Sequence, residues 1–140
     1  IVHRPNDGLR EFVTSSCIWV EAPLAHLGMS QSIKAGIIAL KKEPWVIIAL
    51  ADMPYVSTKT AKKLTEKLNQ GALIIRPSYR GKPGNPVGFS RLYYEKLTML
   101  KGQEGAKDLL AREQNKIEVF EVDDEGVLLD IDRESDIKDT

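Results

Sequence analysis

The pattern of apolar and polar positions predicts strands that alternate with helices. Residues 45–51 are apolar on both faces, as expected for a strand in the middle of an α/β sheet. In residues 30–41 the apolar positions Ile33, Ile37 and Leu40 recur at helical spacing, which predicts an amphipathic helix. The chain therefore switches between the two hydrophobic periods that are typical of an α/β protein.

Capping and turn residues predict the remaining elements. Ser57 or Thr58 can cap a helix that ends near Gly71. The other predicted helices are 9–13, 91–100 and 105–112, the other predicted strands are 18–20, 72–76, 117–122 and 127–131, and residues 78–86 are predicted to form a long loop. No linker interrupts the alternation, so residues 1–140 are predicted to form a single three-layer α/β domain with a largely parallel sheet.

Composition excludes several classes of protein. The 140 residues are 42% apolar and 29% charged, which is an ordinary globular balance. One cysteine, Cys17, allows neither an intramolecular disulfide nor a cysteine zinc site, and so favours a reducing, cytoplasmic location. The longest apolar runs fall short of the ~20 residues of a membrane span, and basic residues do not interleave with aromatic ones. We therefore expect neither a membrane nor a nucleic acid as a partner.

Charge is balanced in total but unevenly distributed. The chain has 20 Lys and Arg against 20 Asp and Glu, and residues 118–140 hold ten of the acids but two of the bases. The first 117 residues therefore carry 18 bases and ten acids. A basic body suits an anionic ligand, whereas an acidic end suits either a metal ion or a solvated tail.

The candidate metal ligand is Asp52, in the run Ala51-Asp52-Met53-Pro54 directly after the most apolar predicted strand. Ligands of open parallel sheets collect beyond the carboxyl ends of the strands, and Mg²⁺ binds through one or two carboxylates together with substrate phosphates. The alternative is that Asp52 makes only a local turn before Pro54. A receiver domain fits poorly, because Asp52 abuts Met-Pro and no acidic pair occurs on an earlier strand.

A glycine- and proline-rich loop is the second candidate. In residues 81–89 Gly84 permits close backbone approach, and Asn85 offers both a donor and an acceptor. Arg76, Arg80 and Lys82 are near in sequence and could meet phosphate. The alternative is a wide structural turn.

Two further features also have structural alternatives. Gly28 precedes a predicted helix whose first-turn N–H groups suit an anion, although Ser30 could simply cap that helix. Strand alternation would place Asp130 and Asp132 on one face, where they could bind metal or protect a charged edge strand.

The order and spacing of these runs resemble the MobA-like nucleotidyltransferases, and most of all their molybdenum cofactor cytidylyltransferase branch. The runs that carry the resemblance are Gly28-Met-Ser-Gln-Ser-Ile-Lys-Ala-Gly36, Leu50-Ala-Asp-Met-Pro54, Gly81-Lys-Pro-Gly-Asn-Pro-Val87, Gly102-Gln-Glu-Gly-Ala-Lys107 and Asp130-Ile-Asp132. The resemblance implies the three-layer α/β/α, Rossmann-like nucleotide-diphosphate-sugar transferase fold with a mostly parallel mixed sheet.

The resemblance also implies a reaction. A terminal phosphate of a molybdopterin-type acceptor attacks the α-phosphorus of a nucleoside triphosphate, here CTP, with Mg²⁺ as cofactor and pyrophosphate as product; a molybdoenzyme is a further implied partner. By motif position it implies Asp52 as the catalytic, metal-binding carboxylate, Asp132 as a second metal contact, Gly28 and Ser32 beside the nucleotide, and Gly84, Asn85 and Pro86 facing the acceptor.

The chain departs from the family pattern in several places. Asn85 stands where the family usually has His, and Arg133-Glu134 replaces the usual Thr-Pro after Asp132. Nothing in these 140 residues resembles the family's first strand and its Leu-Ala-Ala-Gly-x-Ser-x-Arg-x-Gly loop, so we expect Ile1-Val2 to correspond to the second strand of an N-terminally truncated domain. The alternatives are a non-catalytic cofactor-binding or molybdoenzyme-assembly module, and a sibling transferase that uses GTP or a sugar-phosphate acceptor.

Because the triphosphate-cradling loop is missing from the sequence, the 140 residues are predicted not to transfer a nucleotide by themselves. With CTP, Mg²⁺ and acceptor, a coupled pyrophosphate assay should stay at background. Pyrophosphate release that depends on CTP would contradict this expectation.

Overall fold

The computed structural model describes residues 1–13 and 16–137, and its contacts divide the chain into two compact units. The first unit comprises residues 1–43 and 93–113, and the second comprises residues 44–92 and 114–140. In chain order the elements are β1 (Val2–His3), β2 (Val20–Glu21), α1 (Met29–Ala39), β3 (Trp45–Ile48), α2 (Thr58–Asn69), β4 (Ile74–Tyr79), β5 (Lys82–Pro83), β6 (Val87–Ser90), α3 (Tyr94–Thr98), α4 (Ala106–Arg112) and β7 (Ile117–Glu121). Short 3₁₀ turns lie at Leu9–Glu11, Ala25–Leu27, Arg91–Tyr93, Gln114–Lys116, Glu125–Leu128 and Glu134–Asp136.

The first unit combines a small parallel sheet with helices. β1 and β2 pair in parallel, with Val2 opposite Val20. α1 packs against both strands and against α3. His3 is buried at the end of β1, where its ring meets the ring of Trp19 edge-on at 5.4 Å. The edge-to-face ring contact is a favoured aromatic geometry and fixes the carboxyl end of this strand pair.

The second unit contains a mixed sheet. β6 lies between β3 and β4 and is antiparallel to both, while β7 lies on the other side of β4 and is parallel to it. β3, β4 and β7 therefore run in one direction. This arrangement confirms the predicted α/β class with a mixed sheet, and the prediction of a single domain stays a prediction.

Helix α2 covers one face of this sheet. Ser57 caps it, since its Oγ accepts the Thr60 N–H at 3.2 Å, and Gly71 follows its end with a φ of 99°. Both features were predicted. Leu64 and Leu68 pack with Ile75 of β4, and all three are buried. These contacts supply the apolar core of the unit.

Two sequence predictions about the second unit are wrong. Residues 78–86 do not form a loop: β4 continues through Tyr79 and turns at Arg80-Gly81 into the short strand β5. The apolar pattern hid this because prolines and glycines interrupt the hairpin. Residues 127–131 do not form a strand, because the Asp124 side chain accepts the Gly126 N–H and starts a 3₁₀ turn at Glu125–Leu128. The strand β6 was not predicted, since its glycine breaks the alternation.

No helix in the part of the chain that the structure describes is long and apolar enough to cross a membrane.

Replacement of Leu64 by Ala should lower the free energy of unfolding by about 2–5 kcal/mol, because Leu64 is fully buried between α2 and the sheet. The matched control is Leu92→Ala, whose side chain is 77% exposed and whose loss should change stability by about 0.5 kcal/mol or less. Urea denaturation followed by circular dichroism measures both. Equal effects of the two changes would contradict this assignment of the core.

Candidate functional site

A cleft of about 220 Å³ in the second unit brings three segments together. They are the turn after β3, the connection between β5 and β6, and the residues that follow β7. Asp52, Gly84, Asn85 and Asp130 contribute to its lining. Two acidic residues thus line the same space as a glycine and an asparagine, which is a polar set suited to a metal-bound phosphate.

Asp52 lies in the turn after β3. The buried Met53 anchors this turn, and its N–H bonds the Leu50 carbonyl at 3.2 Å. The Asp52 carbonyl accepts the Ile131 N–H at 2.7 Å, whereas the Asp52 side chain is exposed. Within residues 1–13 and 16–137 its carboxylate has no hydrogen bond or ion pair. The backbone is therefore fixed while the carboxylate stays available for a ligand.

The connection between β5 and β6 is a bulge in one continuous return strand. β5 pairs Pro83 with Ser78 and β6 pairs Gly88 with Ile75, so the return strand holds two more residues than β4 between these pairs. We call the extra segment, residues 84–86, the bulge. Bulges re-aim side chains at the edges of sites, and this one directs Gly84 and Asn85 to the cleft. Pro86 is buried and is not among the cleft residues.

Gly84 is required at the bulge by its surroundings. Its N–H bonds the Pro77 carbonyl at 2.8 Å, and a Cβ at this position would lie 2.4 Å from the Val127 carbonyl oxygen. The next N–H, of Asn85, donates to that same Val127 oxygen at 2.8 Å. The close approach that glycine permits is therefore what allows the bulge to bond to the segment after β7.

The bridging segment, residues 124–131, joins the other two walls of the cleft. At its end Ile131 donates to the Asp52 carbonyl, and in its middle Val127 accepts from Asn85. Gly126 packs so closely that a Cβ there would lie 2.1 Å from the Tyr55 carbonyl oxygen. The segment therefore holds the Asp52 turn and the bulge at a fixed separation.

Asp124 fixes the start of the bridging segment. Its carboxylate accepts the Ser57 N–H at 2.9 Å, the Thr60 hydroxyl, and the Gly126 N–H at 3.1 Å. Burial alone would raise the pKa of this carboxyl, but the hydrogen bonds from Thr60, Ser57 and Gly126 outweigh it and hold the pKa below its usual range. The ionised form of Asp124 is therefore part of the fold at neutral pH.

The two candidate acids after β7 occupy different places. Asp130 is exposed and lines the cleft with Asp52. Asp132 does not line it, and its N–H bonds the Asp136 carboxylate at 3.1 Å. The described residues contain no group of three or more His, Cys, Asp or Glu side chains placed to hold a metal ion. A pair of carboxylates fits Mg²⁺ that takes its other ligands from water and substrate phosphates.

The two predicted nucleotide residues, Gly28 and Ser32, belong to the first unit. A Cβ at Gly28 would lie 2.0 Å from the Gly102 carbonyl oxygen, and Ser30 donates to that oxygen through its hydroxyl at 2.8 Å. Gly28 and Ser30 therefore pack the start of α1 against Gly102. Ser32 is half-buried one turn into α1. The predicted contact of both residues with a nucleotide stays a prediction.

The basic residues near the bulge differ in their contacts. Arg76 donates through Nε and Nη2 to the Gly84 carbonyl oxygen, at 3.1 and 2.9 Å. Arg80 lies at the hairpin turn with its guanidinium over the ring of Tyr79, 5.1 Å from the centroid. Lys82 is exposed. Arg76 thus binds the bulge itself, a contact that its position in the sequence did not predict.

Sequence reasoning missed Asp124 as a residue that shapes the site. Its run, Asp123-Asp124-Glu125-Gly126, lies between the strands predicted at 117–122 and 127–131. The contact that decides its role is with the cap of α2, more than 60 residues earlier. The available signal was Ser57 followed three residues later by Thr60, which marks a helix start but not its distant partner.

Comparison with known families gives one match. Residues 1–117 match the MobA-like NTP transferase domain. No curated protein shows significant similarity to the chain.

Several solved structures share the fold. Rv0371c from Mycobacterium tuberculosis H37Rv has a TM-score of 0.77 and 20% identity, covering 96% of this chain and 70% of that one. Rv0371c in complex with manganese has a TM-score of 0.75 and 19% identity, covering 96% and 72%. Molybdopterin-guanine dinucleotide biosynthesis protein A from Archaeoglobus fulgidus has a TM-score of 0.65 and 18% identity, covering 96% and 73%. These likenesses establish the fold.

Asp124→Asn should destabilise the protein more at neutral than at acid pH. The lowered pKa means that the ionised carboxylate stabilises the fold above its usual pKa near 3.8, and that this contribution is lost as the pH falls through the lowered value. The expected loss at neutral pH is about 1–2 kcal/mol in the free energy of unfolding.

Urea denaturation at pH 7 and at about pH 3 measures this difference. Asp123→Asn, which changes an exposed neighbour, is the matched control. A destabilisation by Asp124→Asn that is the same at both pH values would show that its charge has no part in the fold.

Proposed function

The chain belongs to the MobA-like NTP transferase domain family, and on that premise we propose that its cleft serves the transfer of CMP from CTP to the phosphate of a molybdopterin-type acceptor, with release of pyrophosphate, a transfer that the 140 residues by themselves are predicted not to complete. The observation that carries this proposal is the cleft in which the Asp52 and Asp130 carboxylates meet the bulge of Gly84 and Asn85. A nucleotidyltransferase needs metal-binding carboxylates beside an acceptor-binding loop, because a metal-bound triphosphate and a phosphate acceptor must meet there.

Asp52 and Asp130 are the residues we propose to hold Mg²⁺. Both carboxylates are exposed in the cleft, and neither has a hydrogen bond or ion pair within the described residues. Carboxylate oxygens are the donors that Mg²⁺ prefers. When bound, the cation supplies neutralisation of the charge that builds up on the phosphates. Asp132 is the alternative second contact, implied by its motif position.

In the proposed reaction a phosphate oxygen of the acceptor forms a bond to the α-phosphorus of CTP. The bond between the α-phosphorus and the bridging oxygen to the β-phosphorus breaks, and pyrophosphate leaves with that oxygen. The attacking phosphate is already ionised at neutral pH, so no general base is needed. The chain's own contribution is to orient: the bulge presents Asn85 to the acceptor, and the bridging segment keeps Asn85 and Asp52 at a fixed distance.

The choice of CTP follows the resemblance of the motifs to the cytidylyltransferase branch. GTP is the second candidate, since one protein of the same fold is a molybdopterin-guanine dinucleotide biosynthesis protein. Calorimetric titration of the native protein with each nucleotide in the presence of Mg²⁺ separates the two. A cytoplasmic location and delivery of the product to a molybdoenzyme complete the proposal; its support is the single cysteine and the family of the chain.

The metal part of the proposal is testable in this chain with Mn²⁺ as the probe. Asp52→Asn and Asp130→Asn should each weaken Mn²⁺ binding by about tenfold or more, because each removes one of two carboxylate ligands. Asp132→Asn is the matched control, since it removes the same charge two residues away and outside the cleft. Free Mn²⁺ is measured by electron paramagnetic resonance.

Two results would contradict the assignment of the metal ligands. Mn²⁺ binding that is unchanged by Asp52→Asn would exclude the cleft as the metal site. A loss with Asp132→Asn but not with Asp130→Asn would move the second contact to Asp132.

A further inference from the structure

We propose that Arg76 is a positioning residue for the acceptor, because its guanidinium supplies the hydrogen-bond donor that holds the bulge in the shape that presents Asn85 to the cleft. The inference rests on the proposed function, since the acceptor is expected to bind at this bulge. It assigns a role to a side chain that does not itself line the cleft.

The need for such a donor arises from the sequence of β4. The register of β5, extended by one residue, places Gly84 opposite Pro77, and the Gly84 N–H does bond the Pro77 carbonyl at 2.8 Å. In an antiparallel ladder two residues paired in this way exchange two hydrogen bonds. Pro77 has no N–H to return. The Gly84 carbonyl therefore faces β4 without its backbone donor.

Arg76 supplies the missing hydrogen-bond donor. It precedes Pro77 on β4, and both Nε and Nη2 of its guanidinium donate to the Gly84 carbonyl oxygen, at 3.1 and 2.9 Å. Two hydrogen bonds from one planar guanidinium fix the direction of the Gly84 carbonyl as well as its distance, which a lysine ammonium cannot do. Gly84 is thus held on both sides, since Pro77 accepts its N–H and Arg76 donates to its carbonyl, which belongs to the peptide group that Gly84 shares with Asn85.

No carboxylate in the part of the chain that the structure describes balances the charge of Arg76. The side chain is half-buried and makes no ion pair with a carboxylate there. Burial lowers the pKa of its guanidinium, although the group stays charged at neutral pH. Partial burial of a cation costs free energy, and the contact with one carbonyl is its only compensation among the described residues. Its cost is consistent with a role at the bulge.

The orientation of the Gly84 peptide sets the next residue. The Asn85 N–H belongs to the same peptide group as the Gly84 carbonyl, and it donates to the Val127 carbonyl of the bridging segment at 2.8 Å. Loss of the Arg76 contact frees the Gly84 carbonyl to turn, and the Asn85 peptide turns with it. Arg76 therefore acts on the acceptor through Gly84 and Asn85.

The test uses four variants. Arg76→Met removes the donor and the charge, and Arg76→Lys keeps the charge but loses the paired contact. Arg91→Met is the matched control, since it removes the same charge from an exposed position of the same unit that makes no contact with Gly84. The double variant Arg76→Met/Pro77→Ala restores a backbone N–H at position 77, which can donate to the Gly84 carbonyl in place of the guanidinium.

Two probes are titrated into each variant. The acceptor probe is 6-hydroxymethylpterin monophosphate, followed by its pterin fluorescence, and the metal probe is Mn²⁺. Amide hydrogen exchange at Asn85 reports the shape of the bulge without any ligand. Thermal unfolding by circular dichroism shows that each variant is folded.

We expect Arg76→Met to weaken pterin phosphate binding about tenfold and to speed exchange of the Asn85 amide. Arg76→Lys should lie between this variant and the wild type. Mn²⁺ affinity, and both affinities of Arg91→Met, should stay within about twofold of the wild type. The double variant should recover most of the lost affinity, which a loss of charge alone would not allow.

The outcomes separate this inference from the proposed function. Unchanged pterin phosphate binding and unchanged Asn85 exchange in Arg76→Met would overturn the role of Arg76 and leave the proposed function intact. An equal loss in Arg91→Met would also overturn it, because the net charge rather than the position of Arg76 would then decide the affinity. If the wild type binds no pterin phosphate, the proposed acceptor is wrong, and the Asn85 exchange rates alone then decide the role of Arg76.

Discussion

The cleft depends on the hydrogen bonds of the bridging segment, residues 124–131, to the two other walls. One bond joins Ile131 to the Asp52 turn, and another joins Val127 to the bulge at Asn85. Asp124 adds a third attachment, at the cap of α2. Each bond alone contributes on the order of 1 kcal/mol. Together these bonds hold the Asp52 turn and the bulge, which are far apart in sequence, side by side in one surface. Asp52 and Asp130 lie in the same cleft because of these bonds.

Backbone chemistry, rather than side-chain size, explains why the bulge lies where it does. Pro77 in the middle of β4 removes one backbone donor from the ladder. The return strand holds two more residues than β4 at this point, and its bulge begins with Gly84. Arg76 then supplies a donor from its side chain. The peptide group between Gly84 and Asn85 is thereby held in the bulge and not in a regular strand, and Asn85 lines the cleft.

Local patterns in the sequence predicted the elements that local physics decides. The apolar run at 45–51 and the cap at Ser57 were predicted because burial on both faces and an Oγ acceptor leave direct signs in the sequence. The same reasoning placed Asp52 at a strand end, where the structure has it in the cleft. The strand predicted at 127–131 was wrong because contacts between distant segments decide its conformation. Asp124 reaches back to α2, and no periodicity within the segment records that contact.

Diffraction from crystals grown with Mn²⁺ can locate the divalent cation that we propose Asp52 and Asp130 hold in this cleft. Anomalous scattering locates the metal independently of any assumption about the reaction. We expect a peak in contact with both carboxylates, about 2.0–2.1 Å from their oxygens as for Mg²⁺, and its loss in crystals of Asp52→Asn. A peak at Asp132 alone, or beside the acids near α2 at Asp123 and Asp124, would contradict this proposal.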